Sequence, residues 1–404
     1  MIKTNISKNK ITFRLDRTLR FLGKTEINFV YDIDISKTPV QIANYMLGIL
    51  LSEHFSWNSG TFKFNKLTYN QVHSIRYHER MNRLANPYGR VKGKDARIVS
   101  DKLVGFDKPD GSGPTLVCNG MGKDGLATAC LGHELTGNIR LFTVGNQYSN
   151  ESIWNERKHS MKGFTDTFKI PNTHYIMTDY LQGVGYKIIP WWVIGLPLAY
   201  ALNSDTMLVG SDMAYSKNVK GTKLLLRPNI SIFSLDQLTK HSGITVSSPT
   251  NPLTACGVQK LLVDRYPEAL PFQRSCMRGN GMSWCGKCED CYKTALYMEN
   301  ADRPPSMLCI PDSERYPNKV KVAIMNHMVH DVVTQMRRRQ IGLNYRDYYL
   351  KANDNVFPLI WAGDKIKYIY KEHFKIDKKD PGSDNIGYEY LPSKWGMWCN
   401  EGLC

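Results

Sequence analysis

The sequence predicts an α/β fold built on a parallel sheet, on three observations. From residue 115 onward, short apolar runs such as Leu116, Val117 and Cys118 alternate with stretches of helical periodicity, the pattern of successive βα units. Those runs end in small or polar turns, which suits strands buried on both faces. Before residue 100 the pattern differs, because apolar and polar residues alternate with period two, as in strands with one wet face. The expected organisation is a small N-terminal α+β module (1–100), a parallel-sheet domain (114–300) and a helical C-terminal extension (301–404).

Taken in order, Ile11, Phe13 and Leu15 form one strand, and Ile27, Phe29, Tyr31, Ile33 and Ile35 a second, with a turn at Gly23. A helix follows from about Thr38, entered through Pro39, with Ile42, Tyr45, Met46, Ile49 and Leu50 on its apolar face. Residues 60–69 read as a strand and 84–113 as a basic connecting stretch containing Arg90, Lys92, Lys94 and Arg97. Strands are then expected at 115–118, 139–145, 175–177 and 206–209. The apolar segment 188–202 is interrupted by Pro190 and Pro197 and reads as a buried helix. Further helices are expected from about Leu253, where Thr250 or Asn251 could cap, and over 318–339, ending in Arg337, Arg338 and Arg339.

The chain has 404 residues, 42% hydrophobic and 22% charged, an ordinary globular composition. No stretch approaches the roughly 18 apolar residues of a membrane span, and the opening residues lack a signal peptide's apolar core. A soluble, cytoplasmic protein with no membrane partner is expected. Lys and Arg (53) outnumber Asp and Glu (37), giving +16 and favouring an anionic partner, either a phosphorylated small molecule or nucleic acid. The oligomeric state is left open, a homodimer being one option.

Two motifs carry chemistry. The first is strand, glycine-rich turn and helix: Cys118 leads into Asn119, Gly120, Met121, Gly122, Lys123, Asp124 and Gly125, and a helix begins at once. Unpaired helical N–H groups and the positive end of the helix dipole suit such a turn to a phosphate when its side chains are small. GxxxxGK[ST] is absent and three glycines in six residues are a weak signal by themselves, so a plain βα turn stays open as an alternative, with Lys123 a surface lysine and Asp124 a helix cap. The second motif is Cys276, Cys285, Cys288 and Cys291, spaced C-x8-C-x2-C-x2-C. Four thiolates match a closed tetrahedral zinc site, structural because no coordination position is left for water. An iron–sulfur cluster and unrelated cysteines are the alternatives.

Together, the glycine loop with its Lys-Asp pair and the C-x8-C-G-x-C-x2-C segment resemble the PP-loop ATP pyrophosphatases, and among them the 7-cyano-7-deazaguanine synthases. The resemblance covers about residues 114–300 and implies the adenine-nucleotide α-hydrolase-like (HUP) fold. The family's S-G-G-x-D-S falls on residues 120–125, so both serines and one glycine are replaced here. The adenylating epimerases of UDP-muramoyl dipeptides are also similar, through Trp284 and the cysteines after it.

Both resemblances imply an ATP-dependent, pyrophosphate-releasing adenylation of a carboxylate or carbonyl oxygen, with ATP, Mg²⁺ and structural Zn²⁺ as cofactors. The implied roles are amide donors from Gly120 to Gly125 with Asn119 also at the nucleotide, a cation from Lys123 and a metal or water contact from Asp124. Adenine contacts are implied at Thr143, Val144 and Gly145, and substrate contacts at Gly210, Ser211, Asp212 and Arg278. A small-molecule ligase, a tRNA- or DNA-modifying or binding protein, and an inactive relative all remain open. His133, His159 and His174 read as structural.

Overall fold

The structure is a computed structural model and describes residues 1–16, 25–56, 60–85, 96–146, 151–180, 191–210, 218–220, 223–225, 230–250, 255–276 and 284–320. The N-terminal part contains β1 (Lys3–Ile6), β2 (Lys10–Arg14) and β3 (Glu26–Tyr31), then α1 (Val40–Leu50), α2 (Ser52–Ser56), β4 (Thr61–Leu67), α3 (Tyr69–Ala85) and β5 (Arg97–Leu103). The βα region follows as β6 (Thr115–Cys118), α4 (Lys123–Thr136), β7 (Ile139–Asn146), α5 (Glu151–Phe168) and β8 (Thr173–Thr178). After it come α6 (Leu196–Ala201), β9 (Thr206–Val209), β10 (Asn218–Lys220), β11 (Lys223–Leu225), α7 (Ile230–Ser242), β12 (Thr245–Ser247), α8 (Ala255–Arg265) and α9 (Glu289–Asn300).

Among the described residues the main sheet has eight strands, in the order β1-β2-β3-β8-β7-β6-β9-β12. From β8 to β12 every pairing is parallel, whereas β1, β2 and β3 are antiparallel to one another and β3 is antiparallel to β8. The fold is therefore α/β with a mostly parallel central sheet. Counted along the chain, the parallel strands lie in the order third, second, first, fourth, fifth, so strand succession reverses between β6 and β9. In open α/β sheets of this kind, ligands settle outside the carboxyl ends of the strands at that reversal.

Two apolar cores flank the sheet. One holds Leu126, Leu131, Leu141, Phe164, Val258 and Leu296 under α4, α5, α8 and α9. The other holds Phe13, Phe29, Tyr45, Phe142, Leu198 and Leu238 under α1, α6 and α7. The first hundred residues, expected as a module apart, supply three strands to this sheet and side chains to the second core. The physical reason is edge pairing: Tyr31 lies opposite Ile176 and Phe29 opposite Thr178, which closes the open edge of β8. The alternating burial of β2 and β3 fits strands packed on one face only.

The expected strands at Ile11, Ile27, 115–118, 139–145, 175–177 and 206–209 are all present, and α1 starts after Pro39. The basic stretch 84–113 contains β5, and α5 lies between the strands expected at 139–145 and 175–177. Within 188–202, a 3₁₀ turn at Trp191–Gly195 leads into α6, with Pro197 in its first turn. Arg90, Lys92, Lys94, Pro190 and Asn251 lie outside the described residues, as do 321–404 and with them most of the expected helix over 318–339.

Candidate metal and anion site

The turn after β6 is shaped by Asn119. Its N–H donates to Phe142 O at 2.9 Å, and its Oδ1 accepts the Met121 N–H at 2.7 Å. Met121 then takes a left-handed φ of 64° with its side chain fully buried. That backbone is one in which an L side chain is strained and glycine is not. The N-cap of α4 is Gly122, which has no side chain of its own to bond the first helical N–H groups, and the helix starts at the carboxyl end of β6. A Cβ added to Gly120 would meet nothing within 4 Å, so the turn is open on that side.

The end of β9 closes the other side. A Cβ on Gly210 would stand 2.5 Å from the Asp124 carbonyl carbon and 2.7 Å from Gly125 N, so only glycine lets β9 approach the first turn of α4. Residues 119–125 and Gly210 thus meet at the point where strand succession reverses.

Lys123 and Asp124 form an ion pair, Nζ to Oδ1, at 2.6 Å, and the ammonium lies 5.7 Å from the centre of the Tyr297 ring on α9. Thr143, Val144 and Gly145 lie on β7 beyond its last residue paired with β6. Thr143 is buried, Val144 packs into the second core, and the Trp154 ring of α5 lies where a Cβ on Gly145 would stand. Ser211, Asp212 and Arg278 lie outside the described residues. His174 Nδ1 is 3.0 Å from Asp32 Oδ1, a pairing that ties β8 to the N-terminal part.

Cys276, Cys285, Cys288 and Cys291 converge, their sulfur atoms all within 4.8 Å of one another. Sulfur pairs stand at 3.6 Å (Cys276 and Cys288), 3.7 Å (Cys285 and Cys291) and 3.5 Å (Cys288 and Cys291). Zinc–sulfur bonds of about 2.3 Å in a tetrahedron place sulfurs about 3.8 Å apart, so the spacing fits. Within the knuckle Gly286 adopts φ 67°, a left-handed backbone that glycine takes without strain. Cys288 is the N-cap of α9, which carries Cys291 in its first turn.

Burial raises the Cys285 thiol, but the Lys287 N–H and the neighbouring thiols outweigh it and bring it to about 7. Burial pushes Cys288 up to about 11 and also raises Cys291. Thiols crowded in this way must shed protons to bind an ion. The four cysteines sit close together and could hold a metal such as zinc.

Residues not singled out in the sequence also converge here. Arg274 N–H donates to Met121 O at 2.6 Å, and Arg274 Nε lies 3.6 Å from Glu156 Oε1 on α5. Burial raises the Glu156 carboxyl, against the pull of Arg274 and Arg157. The one available hint was proximity in sequence, since Arg274 lies just ahead of the first clustered cysteine.

No protein-family model matches the chain, and a search of curated proteins returns no match. What the fold and site define is a class: an α/β chain with a mostly parallel sheet and a four-cysteine cluster able to take a metal. Among the described residues, no helix is long and apolar enough to cross a membrane.

Proposed function

We propose that the chain is an ATP-dependent adenylating enzyme of the PP-loop class, with ATP held at residues 119–125 and a structural zinc held by Cys276, Cys285, Cys288 and Cys291. The observation that carries this reading is the position of the α4 N-terminus, entered through Gly122 and beside a glycine-lined strand end, where strand succession reverses. The left-handed Met121 supports it, because the turn keeps a glycine-like backbone despite the substitution.

In this reading a carboxylate or carbonyl oxygen of the substrate attacks the α-phosphorus of ATP. The new O–P bond forms as the bond to the β-phosphate oxygen breaks, and pyrophosphate leaves with the electron pair. Main-chain N–H groups at the start of α4 stabilise the developing charge at fixed positions. Lys123 is already compensated by Asp124, so the amides carry more of that task than the ammonium does. Asp124 would hold Mg²⁺, which when bound neutralises phosphate charge. Zinc bound by four thiolates has no position for water and serves to join α9 to the segment at Cys276.

The test is pyrophosphate release from ATP, assayed with carboxylates, with deazapurines and with tRNA or DNA as acceptors. Release with one of these supports adenylation and identifies the acceptor class; no release with any would count against an enzyme.

A further inference from the structure

Both segments that bring sulfur to the cysteine cluster also touch the glycine turn. Arg274 N–H bonds to Met121 O two residues before Cys276, and Ser275 Oγ lies 3.9 Å from where a Cβ of Gly122 would stand. From the other side, α9 is capped by Cys288 and carries Cys291, and its Tyr297 ring faces the Lys123 ammonium. The Arg274 guanidinium does not reach the turn by these contacts. Its Nη1 donates to Pro271 O and Gln273 O, both at 2.9 Å, and its Nε faces Glu156. It is the main-chain N–H of Arg274, not its side chain, that holds the Met121 carbonyl. The left-handed backbone of Met121 is costly for an L residue and needs such partners to fix it.

We infer that Arg274 is a positioning residue: its main-chain N–H keeps the turn after β6 in the shape that accepts an anion, and through Cys276 that hold depends on the metal in the cysteine cluster. What the turn binds rests on the function proposed above; the mechanical link does not.

Arg274→Pro removes the N–H, and Gln273, at ψ 125°, already has the extended backbone that precedes proline. Arg274→Ala keeps the N–H and removes the guanidinium. The readouts, on the full zinc-loaded chain, are amide exchange of a peptide spanning 119–126 and the affinity for Mg·ATP. Arg274→Pro is expected to speed exchange in that peptide about three- to tenfold, the equilibrium weight of one hydrogen bond, and to weaken ATP by a similar factor. Arg274→Ala should leave exchange near the wild-type rate. Stripping metal from the wild-type chain with a chelator should reproduce the loosening, and zinc should reverse it. If Arg274→Pro does not fold, the stripping experiment decides.

Unchanged exchange in 119–126 after metal stripping would overturn the inference, as would Arg274→Ala loosening the turn as much as Arg274→Pro. If the wild-type chain binds no ATP yet the exchange effects appear, the positioning role stands and the nucleotide reading falls. ATP binding and exchange that both ignore the two perturbations would end the positioning role and leave the nucleotide reading intact.

Discussion

Replacing Gly210 by alanine tests the contact on which the candidate site is built. The added Cβ would stand 2.5 Å from the Asp124 carbonyl carbon, 2.7 Å from its oxygen and 2.7 Å from Gly125 N. All three are backbone atoms of the first turn of α4, so no side chain can swing aside. Carbon contacts settle at about 3.5–4.0 Å, so β9 and α4 must separate by about 1 Å. Overpacking of this kind costs about 1–3 kcal/mol, and a backbone obstacle places Gly210→Ala at the upper end, about 2–3 kcal/mol. Gly120→Ala is the control, because its Cβ would meet nothing within 4 Å and Gly120 is not among the positive-φ glycines. It should cost under about 0.5 kcal/mol. Urea unfolding of both variants measures the difference, and Mg·ATP titration should show the larger loss for Gly210→Ala. Equal stability of the two would refute the packing of β9 against α4.

Three further outcomes are expected. Met121→Gly removes a fully buried side chain but relieves the left-handed backbone, so it should destabilise by about 1–3 kcal/mol in urea while leaving ATP affinity equal or better; a larger loss of affinity than of stability would contradict the glycine-like role of that backbone. Purified chain should contain one zinc, lost in Cys276→Ser and released as acid reprotonates the thiols; elemental analysis well below one per chain would refute the metal site. Burial pulls His78 down to about 4, while an unfolded histidine titrates near 6.5. Its contribution is therefore intact above about pH 6.5 and fades as pH falls toward 4, by about 3 kcal/mol, and His78→Gln should flatten that slope in acid unfolding curves. An unchanged slope would show that another group sets it.

The parts legible in the sequence were those with local signals. The β6–α4 turn announces itself through Asn119, Gly120 and Gly122, and the cysteine spacing is a property of sixteen consecutive residues, 276–291. α5 was hidden because Asn155, Lys158, His159, Lys162 and Asp166 make it polar on most of its surface, with Gly163 in its middle. That glycine is explained only by the Phe272 ring packed against it. The pairing of β3 with β8 joins residues far apart in the chain, and alternation within a strand gives no sign of its neighbour. For the same reason the bond from Arg274 to Met121 could not be read from either residue. Met121 itself reads as a departure from the PP-loop motif, and only its backbone angle shows that the turn keeps a glycine-like shape.

Whether residues 119–125 hold ATP is tested most directly by amide exchange on the zinc-loaded chain with and without saturating Mg·ATP. Slowed exchange is expected in 119–126, with a smaller effect at the end of β7 around Val144. Saturable binding that protects some other region, or no binding at all, would contradict the assignment of ATP to this turn.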